Sequence, residues 1–261
     1  MEKDLVQQLA RELWQAEKEG KPLKKLTERY SDITIDDAYA IQLFGRRLRE
    51  EDGQRMVGAK IAMTSKATQE QFKAKEPAYG YILADMIAAE NEPLKMTGKR
   101  APKVEAEVAF VLSADLQGPG ISIADVLRST EGVIAALEII DTRYEGLKGL
   151  TAEDLIADSA LISEVVLGGK MVSSDSVDLH HIGAVFEKNG EVISTAAGAA
   201  ILGNPATAVA WLANKLSTHG LYLRKGDVII SGSLISPCAV EAGDFVRATF
   251  DGLGSVSARF R

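Results

Sequence analysis

Pro102-Lys103-Val104-Glu105-Ala106-Glu107-Val108-Ala109-Phe110-Val111-Leu112 is an apolar run carrying two carboxylates set two residues apart. Side chains of a strand alternate between its faces, so Glu105 and Glu107 point the same way, about 7 Å apart along the chain. The pair is spaced to chelate; a strand with one wet face would show the same spacing without a ligand. A third carboxylate, Glu138, lies inside Gly132-Val133-Ile134-Ala135-Ala136-Leu137-Glu138-Ile139-Ile140. An ionised glutamate among that much aliphatic surface is costly to bury unless it is paired or bound to a metal. Three such groups brought together repel one another, and a divalent cation is the simplest remedy. Hard oxygen ligands favour Mg2+ or Mn2+, and three carboxylates on an octahedral ion leave about three positions for water or substrate oxygens.

Upstream, Met56-Val57-Gly58-Ala59-Lys60-Ile61-Ala62-Met63-Thr64-Ser65 places a lone lysine in an apolar strand. Burial lowers the pKa of such a lysine and frees it for proton transfer, whereas nearby carboxylates keep it charged. At a strand edge it would simply snorkel to water. Downstream of Glu138, polar residues bunch at Asp141-Thr142-Arg143-Tyr144-Glu145-Gly146-Leu147-Lys148, the exit of a buried strand, where rigid scaffolds often present chemistry. Arg143 is suited to bidentate capture of a substrate carboxylate, or equally to an ion pair with Asp141 or Glu145.

Around this centre the spacing predicts a helical arm over 1–53, with an apolar stripe through Leu5, Leu9 and Leu13 and a second helix capped by Thr34. Residues 54–261 form the remaining domain. Short helices are expected after Ser65 and after Ser122, the latter burying Ile123, Val126 and Leu127, and a longer one starts at Asn204-Pro205. Glu76 to Tyr81 reads as a turn. Asn189-Gly190 supplies two positive-φ residues for a hairpin, and strands are expected at 227–230, 245–250 and 255–260. Many short strands with few helices argue for a rolled or sandwich-like sheet rather than a doubly wound one.

Composition narrows the function. The chain has 261 residues, 46% of them hydrophobic, enough for a real core. A net charge of −7, without basic blocks, argues against nucleic acid or an anionic membrane as partner. No run of 18 apolar residues and no apolar N-terminal signal segment is present, so a cytoplasmic protein is expected. The single cysteine, Cys238 in a loop-like stretch, rules out an internal disulfide and a cysteine-rich zinc site. His180, His181 and His219 lie far from the carboxylates in sequence, and no Walker or dinucleotide fingerprint is found.

Several motifs occur together: Val57-Gly58-Ala59-Lys60, Pro77-Ala78-Tyr79-Gly80, Val104-Glu105-Ala106-Glu107, Glu138 through Tyr144, Leu202-Gly203-Asn204-Pro205 and Gly252-Leu253-Gly254-Ser255-Val256. In this order they resemble the hydratase/decarboxylase branch of the fumarylacetoacetate hydrolase superfamily, from about residue 30 to the C-terminus. The resemblance implies an α+β fold, a mixed β-sandwich roll of the fumarylacetoacetate hydrolase type with an N-terminal helical arm. It also implies a Mg2+ or Mn2+ ion on Glu105, Glu107 and Glu138, with Lys60 as the active-site lysine. Ala157-Asp158-Ser159 and Ser231-Gly232-Ser233-Leu234 depart from the family's usual residues, and Asp158, Ser159, Ser231 and Gly232 join Arg143 as expected substrate contacts.

The expected substrate is a small 2-oxo dicarboxylate. Hydratases of the branch typically have an aspartate where this chain has Ala78, which favours decarboxylation of 2-oxohex-3-enedioate (4-oxalocrotonate) over hydration of 2-hydroxypenta-2,4-dienoate. A metal- and 2-oxo-acid-binding protein without turnover is the third reading. A homo-oligomer, or a complex with a partner hydratase, is implied by the same resemblance.

Overall fold

The computed structural model describes residues 1–90 and 92–261. The chain opens with α1 (Lys3–Glu19), α2 (Leu26–Arg29) and α3 (Ile35–Glu51), then runs through β1 (Met56–Ala62), α4 (Lys66–Phe72), β2 (Ala78–Leu83) and β3 (Ile87–Ala88). β4 (Lys103–Leu112), α5 (Ile123–Arg128), β5 (Thr130–Ile140), α6 (Ala152–Ala157) and β6 (Ile162–Val172) follow. The last third holds β7 (Gly183–Lys188), β8 (Glu191–Ala197), α7 (Pro205–Ser217), β9 (Val228–Ile230), β10 (Cys238–Ala239), β11 (Phe245–Phe250) and β12 (Gly254–Arg259).

Local chemistry starts these elements where the side chains allow. Thr34, Ser65 and Ser122 each close a capping box on the third residue of their helix. Asn204 caps α7 by accepting the Ala206 N–H, with Pro205 at the first helical position. Asn189 and Gly190 take φ of 53° and 85° in the hairpin between β7 and β8.

The large sheet runs β2-β1-β9-β4-β5-β6-β3, with β10 added against β4. Its two edge strands, β2 and β3, are separated in sequence only by Ala84–Met86, so the sheet has to curl until its edges approach. Inner-face side chains from five strands (Ile82, Ala109, Ala136, Ile162, Val165 and Ile230) accordingly meet in one small buried cluster. The other face of the sheet contributes Val104, Val108, Phe110, Val133 and Leu137 to the main core. A second sheet, β12-β11-β7-β8, lays β12 against β5 and β6. This is the mixed, rolled α+β architecture expected; β1 runs parallel to β9 and β3 parallel to β6.

The N-terminal helices share that core. Leu9, Leu13, Tyr39 and Ile41 are buried in it, α3 packs on α1 and on α6, and Gln42 donates at 2.8 Å to the carbonyls of both Tyr79 and Ile156. The short α2, which the pattern does not announce, is tied to α6 by Asp154, which accepts the Thr27 N–H at 3.0 Å and its hydroxyl at 2.7 Å.

Three local expectations change, and one strand appears that the pattern does not announce. The supposed turn through Tyr81 is already β2 from Ala78, and all six of its residues are buried. In α5 only Val126 is buried; Ile123 and Leu127 are exposed, because a six-residue helix turns few side chains inward. Cys238 lies in a short strand opposite Val104 rather than in a loop. β6 has no clear signal in the sequence, since Gly168-Gly169 and an exposed second half break its alternation.

Candidate active site

The register of β4 against β5 puts Glu105 directly opposite Glu138, with Glu107 two residues along on the same face. One carboxylate oxygen from each of the three lies within 4.8 Å of the others. Glu107 and Glu138 are fully buried, whereas Glu105 is partly exposed to a cavity of about 590 Å3. The parallel pairing of β1 with β9, and its antiparallel pairing with β2, place Lys60 inside the sheet rather than at an edge, 2% exposed. Its Nζ stands 2.9 Å from Glu138 Oε1 and donates to the carbonyl oxygen of Ala160 at 2.9 Å.

The charges here are mutually dependent. Burial alone disfavours the ammonium of Lys60, but Glu138, Glu105 and Glu107 outweigh it and raise its pKa. Burial and then the charge of Glu138 push Glu105 up to about 8. Glu107 is driven well above the ordinary carboxylate range by burial first, then by Glu138 and Glu105.

Glu107 Oε1 and Glu138 Oε2 have no hydrogen-bond partner among the described residues, and Glu138 Oε1 meets only the Lys60 ammonium. Buried acceptors left open in this way need a cation or protons to satisfy them. Three converging carboxylates with open lone pairs therefore fit a hard divalent ion.

The other Glu107 oxygen accepts the Gly232 N–H at 2.7 Å. Gly232 has φ of 105°, and a Cβ there would stand 2.3 Å from Thr64 Oγ1, so glycine is required. Its N–H fixes the direction of that Glu107 oxygen. Ser231 is fully buried, and its Oγ lacks a partner among the described residues.

The structure does not bring Arg143, Asp158 and Ser159 to the cavity. Arg143 Nε meets the Asp158 carboxylate, and its two terminal nitrogens donate to the carbonyls of Ile162 and Asp158. Neither Asp141 nor Glu145 is its partner: Asp141 instead accepts the backbone N–H groups of Arg100 and Ala101 at 2.9 Å. Burial pushes Asp158 up to about 6 despite the adjacent guanidinium. Arg143, Asp158 and Ser159 border a separate space under α1 and α3, alongside Leu13, Gln42 and Tyr81.

Lys103 belongs to the site and is absent from the residues singled out above. It lines the cavity beside Glu105, and its charge opposes the rise in Glu105's pKa. The signal was parity: positions 103, 105 and 107 share one strand face. The rest of the wall is apolar at Ile140, Leu155, Leu161 and Leu234, and polar at Thr64, Ser65, Thr68, Gln71, Ser233 and Ser236.

The family described as fumarylacetoacetate (FAA) hydrolase C-terminal matches residues 54–261. A 4-oxalocrotonate decarboxylase of Pseudomonas putida is 40% identical over 261 residues, spanning 100% of this chain and 98% of that protein. A 2-oxo-hept-4-ene-1,7-dioate hydratase of Escherichia coli is 37% identical over 257 residues, covering 97% of this chain and 96% of its own. The solved structure of 4-oxalocrotonate decarboxylase from Pseudomonas putida G7, complexed with magnesium and adipate, superposes with a TM-score of 0.97 at 36% identity, over 100% of this chain and 99% of that one. Sequence match, full-length relatives and the curled sheet agree: the chain belongs to the fumarylacetoacetate hydrolase family.

Proposed function

We propose that this chain is a divalent-metal-dependent lyase that decarboxylates 2-oxohex-3-enedioate to 2-hydroxypenta-2,4-dienoate and CO2. The observation that carries the reading is the set of three carboxylates with open oxygens beneath a cavity that also holds Lys60 and Lys103. Glu105, Glu107 and Glu138 would hold Mg2+ or Mn2+. When bound, the ion supplies Lewis-acid polarisation of the 2-oxo group.

The chain's own residues do the remaining work. Lys103 and Lys60 offset the charge of the dianion, which otherwise faces three carboxylates. The bond to the far carboxylate breaks, CO2 leaves, and the electron pair moves through the double bond onto the C2 oxygen. Lys60, held by Glu138 and the Ala160 carbonyl, neutralises that oxygen and gives it the one proton the product needs.

Hydration of 2-hydroxypenta-2,4-dienoate is the second reading, supported by the 37% identity to a hydratase. It needs a proton relay near position 78, and Ala78 is fully buried and has no titratable group. The same overall reading carries a homo-oligomer, a partner hydratase that consumes the product, and a cytoplasmic location.

The test is an ultraviolet assay with Mg2+ or Mn2+, offering each substrate separately and monitoring CO2. Metal-dependent CO2 release from 2-oxohex-3-enedioate, with the dienoate untouched, is expected. Consumption of the dienoate alone would establish the hydratase, and inertness toward both would leave a binding protein without turnover.

A further inference from the structure

Ser159, Ala160 and Leu161 hold left-handed backbone in succession, with φ of 50°, 53° and 65°. None is glycine, so the run persists only because its surroundings over-determine it. Arg143 clamps both ends: one terminal nitrogen donates to the carbonyl of Asp158, just before the run, and the other to that of Ile162, just after it, at 2.8 Å. The Asp158 carboxylate holds Arg143 in return, meeting its Nε and accepting its backbone N–H at 3.0 Å. From β2 the Tyr81 N–H donates to Ser159 Oγ at 3.1 Å. Gly80 leaves room for the Ser159 carbonyl, since a Cβ at 80 would lie 2.1 Å from that oxygen. The product of this turn is an inward-facing Ala160 carbonyl, the hydrogen-bond acceptor of Lys60.

We propose that Arg143 is a positioning residue: by stapling the ends of the left-handed turn it aims the Ala160 carbonyl, which sets the place of the Lys60 ammonium. Arg143 touches no substrate. The inference rests on the reading of Lys60 as the catalytic lysine, and its test includes a variant that examines that reading separately.

Arg143→Lys keeps the charge opposite Asp158 but has a single head that cannot reach both carbonyls. It is expected to lower kcat at least tenfold, since small displacements of a reacting group carry penalties of that order, while KM stays within about twofold. Ser159→Ala, which removes the bond from the turn to β2, is expected to lower kcat by about threefold, again with KM held. Spectra of 15N-labelled lysine side chains supply a readout independent of turnover: the Lys60 signal, assigned by its loss in Lys60→Met, should move or broaden in both variants. A rise in KM with kcat retained would make Arg143 a substrate contact, and a Lys60 signal identical to the native one would equally overturn the proposal. Full turnover by Lys60→Met would instead remove the catalytic lysine, and the positioning role with it.

Discussion

At the residue scale, the three glutamates and Lys60 form one titrating unit whose state depends on what binds it. Glu105 has its pKa raised from 4.5 to about 8, so the folded chain holds its proton over a range where the unfolded chain has released it. For such a group folding stability falls as pH rises from about 4.5 to 8, and the metal-free protein is expected to show that slope. A divalent ion must displace the proton. Calorimetric titration with Mg2+ at pH 7 in buffers of different ionisation heat should therefore show proton release on binding, and heats independent of buffer would contradict it. Under the proposed function Lys103 would act on the substrate instead: Lys103→Ala is expected to raise KM for the dicarboxylate roughly tenfold, the scale of one charge-assisted hydrogen bond. Steady-state kinetics showing a loss in kcat at unchanged KM would be the wrong result.

At the element scale, the site depends on how closely β1 and β9 run. Gly58 pairs with Val228 in the parallel register, and a Cβ at 58 would lie 1.8 Å from the Val228 carbonyl oxygen. Backbone cannot step aside there without displacing Lys60, two residues further along β1. Gly58→Ala is expected to destabilise the fold by about 3 kcal/mol, at the upper end of ordinary overpacking penalties. Urea unfolding measures this directly, and a loss below about 1 kcal/mol would show that the two strands can separate. The β2–β3 link works in the same way over a longer path: three residues between opposite sheet edges force the curl that turns the glutamates inward.

At the scale of the whole molecule, a buried acidic cluster is a source of instability until it is neutralised. An ion that binds only the folded chain adds about 2.7 kcal/mol at one hundred times its dissociation constant. Mg2+ is thus expected to raise the thermal midpoint, and Glu107→Gln, which removes a charge but keeps an acceptor for the Gly232 N–H, should abolish most of that rise. Thermal unfolding with and without chelator provides the comparison; an equal Mg2+ effect in the variant would place the ion elsewhere. Since α1 and α3 share the main core with the sheets, the N-terminal arm is expected to melt in the same transition.

What the sequence by itself determined was set by local rules. Strand alternation put Glu105 and Glu107 on one face whatever the partner strand, and the cost of burying Glu138 and Lys60 among aliphatic neighbours made them stand out as groups needing a counter-charge. Capping residues marked where helices begin because they bond to backbone within three residues of themselves, and the Asn189-Gly190 pair marked a hairpin because both residues accept positive φ. Only the tertiary structure decided which charges meet. Arg143 passed over its near neighbours Asp141 and Glu145 for Asp158, fifteen residues on, because the turn after α6 brings that carboxylate and two carbonyls together around it. The partner of Lys60 one hundred residues away is the carbonyl of Ala160. Every residue carries a carbonyl, so no letter in the sequence announces one that is aimed; its direction comes from three left-handed residues that only the folded surroundings can hold.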